Sequence, residues 1–135
     1  MGRGSAFDNR RSRADIARIT IAPLFMAAGI IHLAWPGVFL HIMPEAVPMP
    51  YAVVLATGVA EMAGAAALFA PRLRRIAGIM LALYCLCVYP ANILHAVQDL
   101  STGTGLGMAY HYPRLFAQPF LCWWALIAGG VATRR

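Results

Sequence analysis

The sequence predicts an all-α protein, a four-transmembrane-helix bundle, and three observations predict it. The 135 residues are 61% hydrophobic and only 12% charged, whereas a soluble domain is closer to half apolar and about a quarter charged. The apolar residues gather in four blocks of about 20 residues, the length a helix needs to cross a ~30 Å hydrocarbon core. The 11 basic residues are all arginine, and nearly all of them stand at the ends of those blocks. Chain length allows one domain.

Residues 1–15 are polar and rich in Gly, Ser and Arg, and are expected to form a disordered basic cytoplasmic tail ahead of a membrane domain over 16–135. Arg10-Arg11 before an apolar run resembles a twin-arginine signal. The run is too long for a signal peptide's apolar region, and no small-x-small cleavage site follows it. It is therefore read as a retained first helix. The expected spans run approximately 16–35, 51–70, 75–98 and 113–132. Proline punctuates them: Pro36 after the first, Pro48 and Pro50 before the second, Pro71 after it and Pro113 opening the fourth. Proline suits a helix's first turn and interrupts it elsewhere.

Orientation follows from arginine placement. Arg3, Arg10, Arg11, Arg13 and Arg18 precede or begin the first span, Arg72, Arg74 and Arg75 lie between the second and third, and Arg134 and Arg135 close the chain. The connections 36–50 and 99–112 carry none. Four spans place the three Arg-rich regions on one side, which the positive-inside rule makes cytoplasmic, with both termini there. The same placement explains the net charge of +6 without nucleic acid, since no basic stripe interleaves with aromatics. The expected location is the bacterial inner (plasma) membrane, multi-pass.

The connections are unequal. Residues 36–50, PGVFLHIMPEAVPMP, are too apolar for an ordinary loop and too broken by proline for a span, so a proline-rich interfacial or re-entrant segment is expected to cap the bundle. Residues 101–109 alternate glycine like a phosphate-cradling loop, but no strand precedes them, and a flexible loop is expected. Ala56, Ala60 and Gly64 recur every four residues, as do Gly78 and Ala82, a spacing that lets helix backbones approach. Trp123 and Trp124 fall mid-helix as packing or lipid-facing residues. Cys85, Cys87 and Cys122 lie in apolar segments with no CxxC, giving neither a disulfide framework nor a zinc pattern.

The polar residues inside the spans carry the functional signal, because ionisable groups in lipid are costly and normally face the protein interior. At a 1.5 Å rise per residue, Glu61 lies about 15 Å from the start of its span, near the midplane. His32, Asn92, His95 and Asp99 fall near the outer ends of the first and third spans, and Arg114 and Gln118 in the first turns of the fourth. Thr57 and Glu61, Arg114 and Gln118, and Asn92 and His95 are three or four residues apart, so each pair shares a helix face. Pro90 and Pro119 each free a backbone carbonyl about four residues earlier. Together these residues define an outer-leaflet pocket with Glu61 at its floor and Arg114, Gln118, Asn92, His95 and His32 as its wall. A short carboxylate cannot snorkel from the midplane, so Glu61 is either protonated or paired with Arg114 or a histidine. His41, Glu45 and His111 are placed in outer connections as solvated residues. His32 and His95 as interfacial residues, and Arg114 as an outer anchor, are the bland alternatives.

No nucleophile elbow, HExxH or nucleotide-binding loop is present, and no metal site is expected. His32 and His95 sit on different helices as haem ligands would, but no second histidine pair or attachment motif accompanies them, so haem is disfavoured.

Gly29-Ile-Ile-His32 followed by Pro36, Phe39 and Ile42-Met43-Pro44 resembles the first-helix and loop pattern of the DoxX-like family of small membrane proteins. Gly58-Val-Ala-Glu61-Met-Ala-Gly64, then Leu68, Pro71 and Arg74-Arg75, extends the resemblance. Tyr89-Pro90-Ala91-Asn92 and Arg114-Leu-Phe-Ala-Gln118 complete it over about residues 25–125. The resemblance implies a four-helix membrane bundle with polar positions at His32, Glu61, Asn92, Arg114 and Gln118. It associates such proteins with thiosulfate:quinone oxidoreductase subunits, oxidative-stress complexes or receptor assembly. The sequence departs from a sulfur-oxidising role, because its cysteines lie deeper than that outer site and form no thiol pair there.

Three functions follow. The first is a quinone- or small-ligand-binding component of a membrane redox system. In it Glu61 carries a proton, Arg114 stabilises an anionic oxygen, His32 or His95 shuttles, and Asn92, Gln118 and Thr57 bind the ligand. The alternative is a non-catalytic accessory or assembly subunit that docks a membrane protein partner or a second copy of itself. A small proton-coupled exporter comes third, because Arg114 would repel cations.

Overall fold

The computed structural model describes residues 3–103 and 105–132, with side chains at residue 9 and from residue 12 onward. Thr104 of the glycine-rich connection, Arg134 and Arg135, and the side chains of Arg3, Arg10 and Arg11 lie outside the described residues. The described chain is all-α, with five helices: α1 (Arg3–Ala34), α2 (Pro36–Leu40), α3 (Pro50–Ala67), α4 (Arg74–Thr102) and α5 (Met108–Ala128). Three helical stretches are long and apolar enough to cross a membrane: Ser12–Ala34, Pro50–Ala67 and Arg74–Thr102.

Helix α1 is helical from Arg3, so the segment expected as a disordered tail continues the first apolar helix. No proline interrupts it before Pro23, and alanine and arginine, which recur through residues 6–14, are strong helix formers. Pro36 and Pro50 stand at the first position of α2 and α3, where the missing N–H has no intrahelical role. Pro113 does not open the last helix: α5 begins five residues earlier at Met108 and holds Pro113 and Pro119 inside it. The turn before it explains the early start. Gly103, Gly105 and Gly107 take φ of 68°, 92° and 69°, left-handed values that glycine adopts without a Cβ clash. The glycine-rich stretch is thus a built reversal between α4 and α5.

Helix α1 packs most extensively on α3 and α4 on α5, while α1–α5 and α3–α4 contacts close the ring. Both main crossings rest on glycine. A Cβ on Gly29 would stand 2.6 Å from the Gly58 carbonyl oxygen, and one on Gly78 would stand 2.6 Å from the Ala125 carbonyl oxygen and from Gly129 Cα. The Gly78/Ala82 pair is therefore a true contact face, and Ala82 is buried with it. The Ala56/Ala60 stripe is not, since both residues are exposed; the face α3 turns inward is Val54, Gly58, Glu61 and Ala65.

The apolar core occupies one half of the bundle. Ala17, Ile21, Leu68, Leu81, Ala125 and Ala128 pack there with little or no exposed surface. Arg18, expected only to orient the first span, is buried in this half and donates from Nε to the Ala128 carbonyl at 2.8 Å, capping the C-terminal end of α5. Trp124 donates to the Thr20 hydroxyl at 2.8 Å, whereas Trp123 faces outward. The other half, toward α2, holds a cavity instead of a core.

Candidate functional site

That cavity measures about 610 Å³, within the usual range of about 300–1,000 Å³ for small-molecule sites. Its walls are mostly apolar. Polar groups enter from two sides: His32, Thr57, Glu61 and Tyr84 from α1, α3 and α4, and Asn92, Arg114 and Gln118 from α4 and α5. Phe39, Met43 and Val47, from the proline-rich segment between α1 and α3, line it as well. The expected cap is present as α2 and the turns that follow it, entered and left through Pro36 and Pro50.

On the first side, the Gly29–Gly58 crossing brings α1 so near α3 that a Cβ on Gly58 would lie 2.8 Å from His32 Cβ. The His32 ring is thereby laid against Glu61. Its other flank is held by Phe39, with ring centroids 3.7 Å apart and planes 14° from parallel. His32 Nδ1 stands 3.0 Å from Glu61 Oε2 and 2.8 Å from the Ala28 carbonyl oxygen. A carbonyl only accepts, so Nδ1 carries the hydrogen and commits it to Ala28. Glu61, 3% exposed, is left with a buried Oε2 that has no hydrogen-bond partner. Tyr84 places its hydroxyl in reach of Glu61 and of Thr57; nothing in the sequence pattern singled it out. The Thr57 hydroxyl itself donates to the Val54 carbonyl at 2.8 Å.

On the second side the side chains are tied together. Asn92 Nδ2 donates to Gln118 Oε1 at 3.2 Å, and Gln118 Nε2 donates to the Cys85 carbonyl at 2.8 Å. That carbonyl is next to Leu86, the acceptor freed by Pro90. Arg114 donates from Nη2 to Asn92 Oδ1 and from Nη1 to His95 Nδ1, the latter at 3.0 Å. Its guanidinium carbon lies 5.5 Å from the centroid of the Tyr110 ring. Among the described residues no carboxylate pairs with Arg114. An arginine held this way has N–H donors to spare, since only two of its five have these partners.

Six of the seven expected site residues, His32, Glu61, Thr57, Asn92, Arg114 and Gln118, thus line one cavity. His95 does not line it. It stands behind Arg114 and turns toward Asp99 and His111. Nor is His111 solvated: it lies within α5 on the face turned to α4, 1% exposed, with its ring edge-on to His95 and its Nε2 2.9 Å from Asp99 Oδ2. His111, Arg114 and Gln118 are spaced three and four residues apart, a helical face that was readable in the sequence once the helix start was known. Of the cysteines, Cys85 is buried, Cys122 half-buried and Cys87 exposed, and all three are free.

The chain belongs to the family described as Domain of unknown function (DUF8561), whose model matches residues 21–128. That match spans α3, α4, α5, the cap and the part of α1 that reaches the cavity. No curated protein and no solved structure matches the chain.

Proposed function

We propose that this is a DoxX-like, four-span integral membrane protein that binds a small amphipathic ligand in the cavity, a quinone being the class the resemblance favours, as a component of a membrane redox system. Helix α5 is the fourth span. Its 21 residues extend about 31 Å, enough for a hydrocarbon core of about 30 Å, and it packs along α4. Its mean hydropathy is lowered by His111, Arg114 and Gln118, which face inward. The arginine distribution puts both termini in the cytoplasm and the cavity in the outer leaflet of a bacterial inner membrane, with the proline-rich cap at the interface.

One observation carries the ligand reading. An unsatisfied buried carboxylate oxygen and an arginine without a carboxylate line the same apolar cavity, and neither completes its bonding within the chain. A ligand with a carbonyl or acidic oxygen accepts from Arg114, and a hydroxyl on it donates to Glu61 Oε2. The apolar body fills the remaining volume. Glu61, beside the His32 ring and the Tyr84 hydroxyl, is the group that takes or gives a proton at the ligand, while Asn92 and Gln118 hold Arg114 in place.

The second reading, a non-catalytic accessory subunit, draws on the exposed Ala56/Ala60 stripe of α3, a small-residue face that another helix fits. One experiment separates the two. The protein is purified in mild detergent and its extract analysed by mass spectrometry. A stoichiometric small amphipathic molecule, depleted in Glu61→Gln and Arg114→Leu, is the expected result. A stoichiometric protein partner with no such molecule supports the accessory role.

A further inference from the structure

We infer that His95, Asp99 and His111 form a binding site for a divalent transition-metal ion of the zinc class, at the end of α4 and α5 beyond the cavity. Asp99 Oδ2 stands 2.9 Å from His111 Nε2 and 3.4 Å from His95 Nε2. The three ligand atoms all lie within 4.8 Å of one another. Metal–ligand bonds of about 2.0–2.2 Å in tetrahedral array put ligand atoms about 3.4 Å apart, so the set closes on an ion with shifts of about 1 Å or less. Two imidazoles with one carboxylate suit zinc and its neighbours rather than magnesium or calcium.

The surroundings are built around Asp99. The Leu106 backbone N–H donates to Oδ2 at 3.2 Å. The turn approaches so closely that a Cβ on Gly105 would lie 2.2 Å from that oxygen. His111 fixes one edge as a fully buried ring, and its Nδ1 has no hydrogen-bond partner. Asp99 and His95 keep 17% and 14% of their side-chain surface exposed, which leaves an entry path and a fourth position for water.

Proton accounting sets the coupling. A carboxylate oxygen only accepts, so without an ion both rings carry their hydrogen on Nε2. Binding moves each proton to Nδ1, with no net release. On His111 that nitrogen is free to take it. On His95 it faces Arg114 Nη1, a donor, so the ion and Arg114 compete for His95, and a bound ion releases Arg114 from the ring.

The test uses the full chain in mild detergent, without a polyhistidine tag and stripped by chelator, titrated with zinc by calorimetry and with cobalt(II) by visible spectroscopy. One equivalent is expected, with visible cobalt bands, and both signals are lost in Asp99→Asn and in His111→Ala. Asp99→Asn keeps size and shape, which guards against misfolding of the His111 variant. Arg114→Leu is expected to bind the ion more tightly. Absence of one-equivalent uptake by the wild type overturns the site, as does uptake that survives both ligand variants. Uptake by Arg114→Leu no tighter than that of the wild type overturns the ligand role given to His95.

Discussion

Glu61→Leu is expected to leave the bundle folded, with a thermal midpoint at or above the wild-type value, while ligand affinity falls at least about tenfold. The two effects have one cause. Glu61 is buried against a mostly apolar cavity, and the donor nearest its Oε2, His32 Nδ1 at 3.0 Å, is shared with the Ala28 carbonyl; a poorly satisfied buried polar group costs folding free energy. Replacing it by a well-packed apolar residue of similar volume is often neutral or stabilising. His32 loses little, because its Nδ1 hydrogen belongs to the Ala28 carbonyl. The ligand loses a charged hydrogen-bond acceptor, an interaction of about 1.5–3 kcal/mol, or about ten- to a hundredfold in affinity. Circular dichroism melting in detergent, paired with quantification of the co-purified molecule, reads both. A carboxylate that served only to hold the bundle together would give the reverse pattern, a lowered midpoint.

Gly78→Val is expected to destabilise the bundle by about 3 kcal/mol or more, at the upper end of what overpacking costs. The atoms its side chain meets, the Ala125 carbonyl oxygen and Gly129 Cα and N, are all backbone, so α4 and α5 must part. Gly64 provides the contrast. A Cβ there meets only the Leu81 side chain, nearest at 2.7 Å, which can change rotamer, so Gly64→Ala costs less. Melting of the two variants side by side checks the order. Equal, small losses contradict the close α4–α5 crossing, on which the alignment of Asn92 with Gln118 depends.

Much of this site was legible because membrane-type sequences make polar residues conspicuous. Glu61, Asn92, Arg114 and Gln118 stood out against apolar neighbours, and helical spacing placed them on shared faces. Proline placed the cap over residues 36–50. Three features were not legible, each for a physical reason. Proline's preference for first turns points to Pro113 as the start of α5, but the left-handed glycines at 103, 105 and 107 deliver the chain to a helix at Met108. The earlier start brings His111 into the helix and with it the cluster around Asp99. Residue size alone points to Ala56, Ala60 and Gly64 as the packing stripe, whereas the α1–α3 contact is fixed where two glycines, Gly29 and Gly58, meet across helices. Sequence spacing within one helix carries no information about that register. A tyrosine in an apolar run is ordinary and does not mark Tyr84 in the sequence; only the assembled bundle turns its hydroxyl toward Glu61 and Thr57.

Joint binding of one amphipathic ligand by Glu61 and Arg114 in the 610 Å³ cavity is open to direct test. The most direct measurement titrates a short-tailed benzoquinol, whose hydroxyl can donate to Glu61 Oε2 while its second oxygen accepts from Arg114, into the purified protein under anaerobic conditions, followed by calorimetry, in the wild type, Glu61→Gln and Arg114→Leu. The predicted result is saturation at one equivalent in the wild type, with at least about tenfold weaker binding in each variant. Equal affinity in all three proteins, or no saturable binding in the wild type, contradicts it.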